Sequence, residues 1–154
     1  VLFTHIAGVD IHHVPYKGGA SLIAVMGNEA QLQIAPGPSL MSHVRSGRLR
    51  ALASGGEKRS PVTPELPTIA ESGVPGYVAT SWNGMLAPAG TPADIIKRLN
   101  AEFNRIIGTP DMRKRMLDNG YEPAGGPPEK FGELIRAEIA KWAPVVVAAG
   151  IKVD

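Results

Sequence analysis

An α/β fold, a parallel-type sheet flanked by helices and followed by a mostly helical C-terminal part, is predicted by three features of the chain. Short β-type runs alternate with helical signals from Gly8 to about Tyr77, at intervals that suit strand–helix–strand crossovers. Eighteen glycines and fourteen prolines lie mainly between the periodic segments, where they punctuate structure. Beyond Ala87 the apolar residues recur at helical spacing almost to the end.

Taken in order, Val1–Ala7 reads as the last turns of a helix stopped by Gly8. No initiator methionine, capping residue or secretion signal stands ahead of it, so the chain is expected to be a fragment. Asp10–Tyr16 is the first strand, and Gly18-Gly19 turn it straight into a helix; Tyr16 is expected to pack and Lys17 to flank the turn in solvent. Gln31–Ala35 is the second strand, with Leu32 and Ile34 alternating with Gln31 and Gln33. Ser39 is expected to cap a short helix that carries Leu40, Met41 and Val44 and ends at Gly47. Arg48–Ala53 forms a third strand, and the turn-rich stretch Gly55–Pro67 reads as an exposed connection. Thr68-Ile-Ala-Glu71 has the spacing of a capping box, opening a helix that Gly73 and Pro75 stop after little more than a turn.

Tyr77–Ala87 is a long extended stretch. Thr91 is then expected as a cap with Pro92 at the first helical position, followed by a stripe of Ile95, Ile96, Leu99, Phe103, Ile106 and Ile107 that ends at Gly108. Thr109-Pro110-Asp111 starts another helix, ended by Gly120. After an extended piece at 121–124, Pro127-Pro128-Glu129 opens the last helix, whose face is Phe131, Leu134, Ile135, Ile139, Trp142 and Val146 and which Pro144 is expected to bend.

Composition removes several classes of function. A 44% hydrophobic content over 154 residues suffices for a core, and a net charge of +2 leaves no polybasic surface. The basic clusters Lys58-Arg59 and Arg113-Lys114-Arg115 lack interleaved aromatics, so no nucleic-acid partner is expected. Without cysteine there are no disulfides, thiolate metal sites or cysteine nucleophiles. Of the four histidines, His12 and His13 are neighbours on a strand and point to opposite faces, while His5 and His43 sit on separate helices, so no metal site and no cofactor is expected. No Gly-x-Ser-x-Gly elbow activates a serine, and the acids fall on helix surfaces or in caps, where solubility and dipole roles account for them. No catalytic residue is assigned.

The helix starts are what remain. Gly18, Gly19 and Ala20 offer one set of main-chain amides and Pro38-Ser39 a second, both at the carboxyl ends of strands, where ligands of open α/β sheets bind. Plain strand–helix turns, with Ser39 merely a cap, account for both more readily on these residues alone, because caps are routine.

Motif order adds a further indication. His13-Val-Pro-Tyr-Lys-Gly-Gly19, Gly47-Arg-Leu-Arg-Ala-Leu-Ala53, Pro64-Glu-Leu-Pro-Thr-Ile-Ala-Glu-Ser-Gly-Val-Pro-Gly-Tyr77, Ser81-Trp82, Leu86-Ala-Pro-Ala-Gly-Thr-Pro92 and Glu138-Ile-Ala-Lys-Trp-Ala-Pro-Val-Val145 follow one another. Together they resemble the receptors of tripartite tricarboxylate transporters, the Bug family of periplasmic solute-binding proteins. The resemblance implies a type II periplasmic-binding-protein-like lobe in residues 1–80, truncated at its start. Residues 81–154 would be the crossing strand and the C-terminal helices returning to a missing first lobe.

It further implies that Gly18, Gly19, Ala20 and Ser39 match binding turns and that Ser81 and Trp82 match the strand near the cleft. The ligand would be a small organic carboxylate, held as two lobes close, and the partners would be the membrane permease subunits. Location would be periplasmic and no reaction would occur. Relatives often carry an acidic residue where this chain has Ala35-Pro36-Gly37, which implies an acid without an amino group. A chain lacking the first lobe is expected to bind carboxylates weakly or undetectably, and to self-associate through apolar faces around Leu99, Phe103 and Trp142. The alternative function is a small-molecule-sensing effector domain of a transcription regulator.

Overall fold

The computed structural model describes residues 2–150. Its helices are α1 (Leu2–Ala7), α2 (Ala20–Met26), α3 (Gly37–Arg45), α4 (Ala93–Gly108), α5 (Pro110–Asp118) and α6 (Pro128–Ala148). The described residues divide into two compact units: Leu2–Ser81 with Leu117–Glu122, and Trp82–Met116 with residues 123–150.

In the first unit, α1 ends as expected. Gly8 takes φ +64°, and its amide donates to the Thr4 carbonyl at 3.0 Å. α3 begins two residues ahead of Ser39, so Ser39 is not the cap. Pro36 holds that position, and the Ser39 hydroxyl donates back to the Pro36 carbonyl at 2.7 Å. Gly47, at φ +73°, closes this helix with its amide on the Val44 carbonyl.

The expected strands form no ladder. Residues 9–16, 31–35 and 48–53 run without regular hydrogen-bonded pairing, and the β pairing among the described residues is a single parallel bridge between Ser54 and Thr68. Alternation of residue type sets an extended backbone locally, but a ladder needs a second strand within about 4.8 Å, and none of these segments supplies one to another. Tyr16, expected to pack, is accordingly exposed.

That bridge organises the unit's centre. Ser54 donates to the Pro67 carbonyl and accepts from the Ile69 amide, both at 2.9 Å, and Ala79 donates to the Gly55 carbonyl at 2.8 Å. The capping box forms reciprocally: the Thr68 amide donates to Glu71 Oε2 at 2.7 Å, and the Glu71 amide to Thr68 Oγ1 at 3.0 Å. It closes a turn and not a regular helix. Those bonds, chiefly the one from the Thr68 amide and then the Arg59 guanidinium at 3.0 Å, hold the Glu71 carboxyl below its ordinary range. The 55–67 connection is less exposed than expected, since Thr63 is buried within it. Among the described residues Ala24 and Tyr77 are the buried hydrophobic ones, and Phe3 meets the Tyr77 ring edge-on at 5.9 Å. Residues 117–122 lie along α3, with Gly120 against its start at Gly37 and Pro38 and Arg45 at its end donating to the Asp118 carbonyl.

The second unit is helical. Thr91 does not cap α4: Pro92 does, and the Thr91 hydroxyl donates to the Pro88 carbonyl at 2.8 Å. α6 starts after Pro127 and continues through Pro144. Asn104 fixes the loop ahead of α6, accepting from the Gly126 amide at 2.7 Å. The extended stretch is held on α6 by Trp82, whose ring meets Phe131 edge-on at 5.3 Å; a Cβ at Gly84 would collide with the same ring. Glu138 anchors the other side. It accepts from Lys141 at 2.6 Å and from the Trp142 indole at 2.8 Å, and these bonds, with a further one from Trp82, hold its carboxyl below the ordinary range. None of the residues of α4, α5 or α6 is fully buried. Of the face expected to need a cover, Leu99 is exposed, and Phe103 and Trp142 are half-buried.

Candidate functional site

In the first unit, the turn into α2 and the chain running up to α3 border an open cavity of about 360 Å³ lined by Gly18, Gly19, Ser21, Leu22, Gln33, Ile34, Ala35, Pro36 and Ser39. Gly18 makes the turn possible. At φ +56° it occupies the left-handed region that residues with a Cβ avoid. Gly19 then takes ordinary helical angles as the cap of α2, with no side chain competing for the amides behind it.

Which amides are spent follows from their bonds. Ala20 donates to the Lys17 carbonyl at 3.3 Å, and Leu22 and Ile23 donate to that of Gly19. Among the described residues the amides of Gly18, Gly19 and Ser21 donate to no main-chain carbonyl. Donors left over at a helix start can hold an anion without a formal positive charge. Ser39 contributes its position more than its donors, because both its amide and its hydroxyl are directed at the Pro36 carbonyl.

One side-chain pair belongs to the same wall. Gln33 Nε2 donates to Ser21 Oγ at 2.8 Å, while Gln33 Oε1 is shielded from solvent without a partner. No lining residue titrates near neutral pH.

Of the residues singled out in the sequence, Gly18, Gly19 and Ser39 line this cavity together; Ala20, Ser81 and Trp82 are not among its lining residues. Ser81 is exposed at the end of the first unit, and Trp82 belongs to the second. Ser21 and Gln33 also line it and were not singled out in the sequence. The available signal was the alternation in 31–35, which puts Gln33 on the face opposite Leu32 and Ile34: those two are exposed, and Gln33 is half-buried.

The first unit thus presents a small, uncharged, donor-bearing cavity at a glycine turn into a helix, the kind of concavity in which small molecules bind. The family model described as the tripartite tricarboxylate transporter family receptor matches residues 2–151, and the chain belongs to that family. Protein BugT of Bordetella pertussis is 36% identical over 152 residues, covering 98% of this chain and 47% of BugT. Among solved structures, R. palustris Rpa4515 with adipate is 39% identical with a TM-score of 0.87, covering 97% of this chain and 50% of that one. A structure described as a periplasmic transporter is 33% identical with a TM-score of 0.84, covering 99% and 51%. MatC (Rpa3494) from Rhodopseudomonas palustris with bound malate is 31% identical with a TM-score of 0.76, covering 94% and 51%. These likenesses establish the α/β periplasmic-binding-protein fold class, even though the strand segments here are unpaired. The chain spans about half the length of the relatives it matches.

Proposed function

We propose that this chain supplies one wall of the ligand site of an extracytoplasmic receptor for a small organic carboxylate, which the receptor delivers to the membrane permease subunits of a tripartite transporter. The observation that carries this is the cavity on whose wall the Gly18, Gly19 and Ser21 amides are unspent. A carboxylate brings lone pairs and no protons, which suits a wall whose main-chain groups are donors. Similar proteins were solved with adipate and with malate, and both are dicarboxylates. Uncharged lining suits release as well as capture, since no buried countercharge must be left behind when the anion departs. Nothing in the lining takes or gives a proton near neutrality, so the role is to hold a solute and not to convert it.

Calorimetric titration of this chain with adipate, malate and the neutral diamide adipamide tests the proposal. Saturable binding of the two diacids in the millimolar range, with none for adipamide, is the expected result. Equal binding of adipamide, or no saturation by either diacid, would contradict it.

A further inference from the structure

We infer that Gln33 is a positioning residue that turns the Ser21 hydroxyl into a dedicated donor for the bound carboxylate, an inference resting on the receptor function proposed above. A serine hydroxyl has one proton and can accept as well as donate. In this structure Gln33 Nε2 donates to Ser21 Oγ at 2.8 Å, which takes up one of that oxygen's two lone pairs and leaves its proton uncommitted to Gln33. The Ser21 proton is left to point elsewhere, and Ser21 lines the cavity beside the unspent amides of Gly18 and Gly19.

The opposite amide orientation would consume that proton. With Gln33 turned over, Oε1 would accept from Ser21, and the hydroxyl would offer the cavity only lone pairs, which repel a carboxylate. Either orientation leaves one amide atom of Gln33 without a partner; here it is Oε1, shielded from solvent. The two states therefore cost about the same in orphaned groups, and they differ in what Ser21 shows the ligand. An anion in the cavity rewards the orientation observed, and the chain Gln33 N–H to Ser21 O–H to carboxylate is one in which each bond polarises the next. Gln33 thus extends the donor set from main chain to side chain without adding charge. It biases the cavity toward ionised carboxylates over their amides.

The test uses amide NMR of this chain titrated with adipate, with adipamide as the neutral control, in the wild type, Ser21→Ala, Gln33→Met and the double variant. The Gln33 side-chain amide cross-peaks are expected to shift with adipate in the wild type and to stay still in Ser21→Ala. Affinity is expected to fall about ten-fold in Ser21→Ala, the loss of one charge-assisted hydrogen bond. Gln33→Met should weaken binding several-fold on the wild-type background and not at all on Ser21→Ala, because one residue acts through the other. Additive losses would overturn the inference. If adipate moves the Gly18 and Gly19 amides but leaves the Gln33 cross-peaks and the Ser21→Ala affinity unchanged, the relay fails while the receptor function stands; if no cavity amide moves, both fail. Should Gln33→Met not fold, the cross-peak comparison between wild type and Ser21→Ala decides alone.

Discussion

Exchanging either cavity glycine for alanine separates what the turn requires from what it tolerates. An added Cβ would meet nothing within 4 Å at Gly18 or at Gly19, so steric overlap contributes to neither variant. Backbone angle is the difference. Gly18 sits at φ +56°, where a Cβ costs about 1–2 kcal/mol, whereas Gly19 at φ −76° and ψ −2° is as open to alanine as to glycine. Alanine narrows the unfolded ensemble by a similar amount at both positions, so that contribution cancels in the comparison. About half a kcal/mol returns in favour of Gly18→Ala, because glycine is a better cap than alanine at Gly19. Gly18→Ala is therefore expected to be less stable than Gly19→Ala by about 1 kcal/mol, roughly a five-fold difference in the folded-to-unfolded ratio. Urea unfolding followed by far-ultraviolet circular dichroism measures this directly. Equal stabilities, or Gly19→Ala as the weaker variant, would refute the assignment of the left-handed turn to Gly18. The same comparison reaches function: Gly18→Ala should also weaken adipate binding, since the turn aims the amides.

Other outcomes follow from contacts elsewhere. Glu138 has its folded carboxyl held low, mainly by the Lys141 hydrogen bond, so its contribution is present above the ordinary carboxylate range and is lost as pH falls through the folded value. Urea midpoints should drop on acidification below about pH 5, and Glu138→Gln should flatten part of that drop, the remainder belonging to Glu71, which is shifted the same way. Thr68→Ala removes the acceptor of the Glu71 amide from a buried position and should cost about 1–2 kcal/mol in the same unfolding assay. Asn104→Ala takes away the partner of the Gly126 amide, and that amide should exchange with solvent markedly faster while helix content is kept.

Helix faces, turns and chain stops were legible in the sequence because their signals are local, although the short helix expected after Thr68 is only a turn. The stripe from Ile95 to Ile107, the Thr68–Glu71 capping box and the stops at Gly8, Gly47 and Gly120 all depend on residues within a few positions of one another. Two caps were misplaced, at Ser39 and Thr91. In each case a proline with its fixed φ took the boundary, and the hydroxyl turned back to a carbonyl three residues earlier. Strands were legible as extended backbone only, since pairing is a property of two segments and alternation describes one. Within the site, the glycine turn could be read from Gly18-Gly19, but the loss of the Ala20 amide to Lys17 depends on the hydrogen bond that closes the turn. The Gln33–Ser21 pair spans twelve residues across two elements, and nothing in either stretch alone announces it.

Crystals of this chain soaked in adipate would test most directly whether main-chain donors hold the acid. One carboxylate should lie in the cavity with its oxygens within hydrogen-bonding distance of the Gly18, Gly19 and Ser21 amides. Adipate bound through lysine or arginine side chains away from that wall, with those amides still unengaged, would contradict the account.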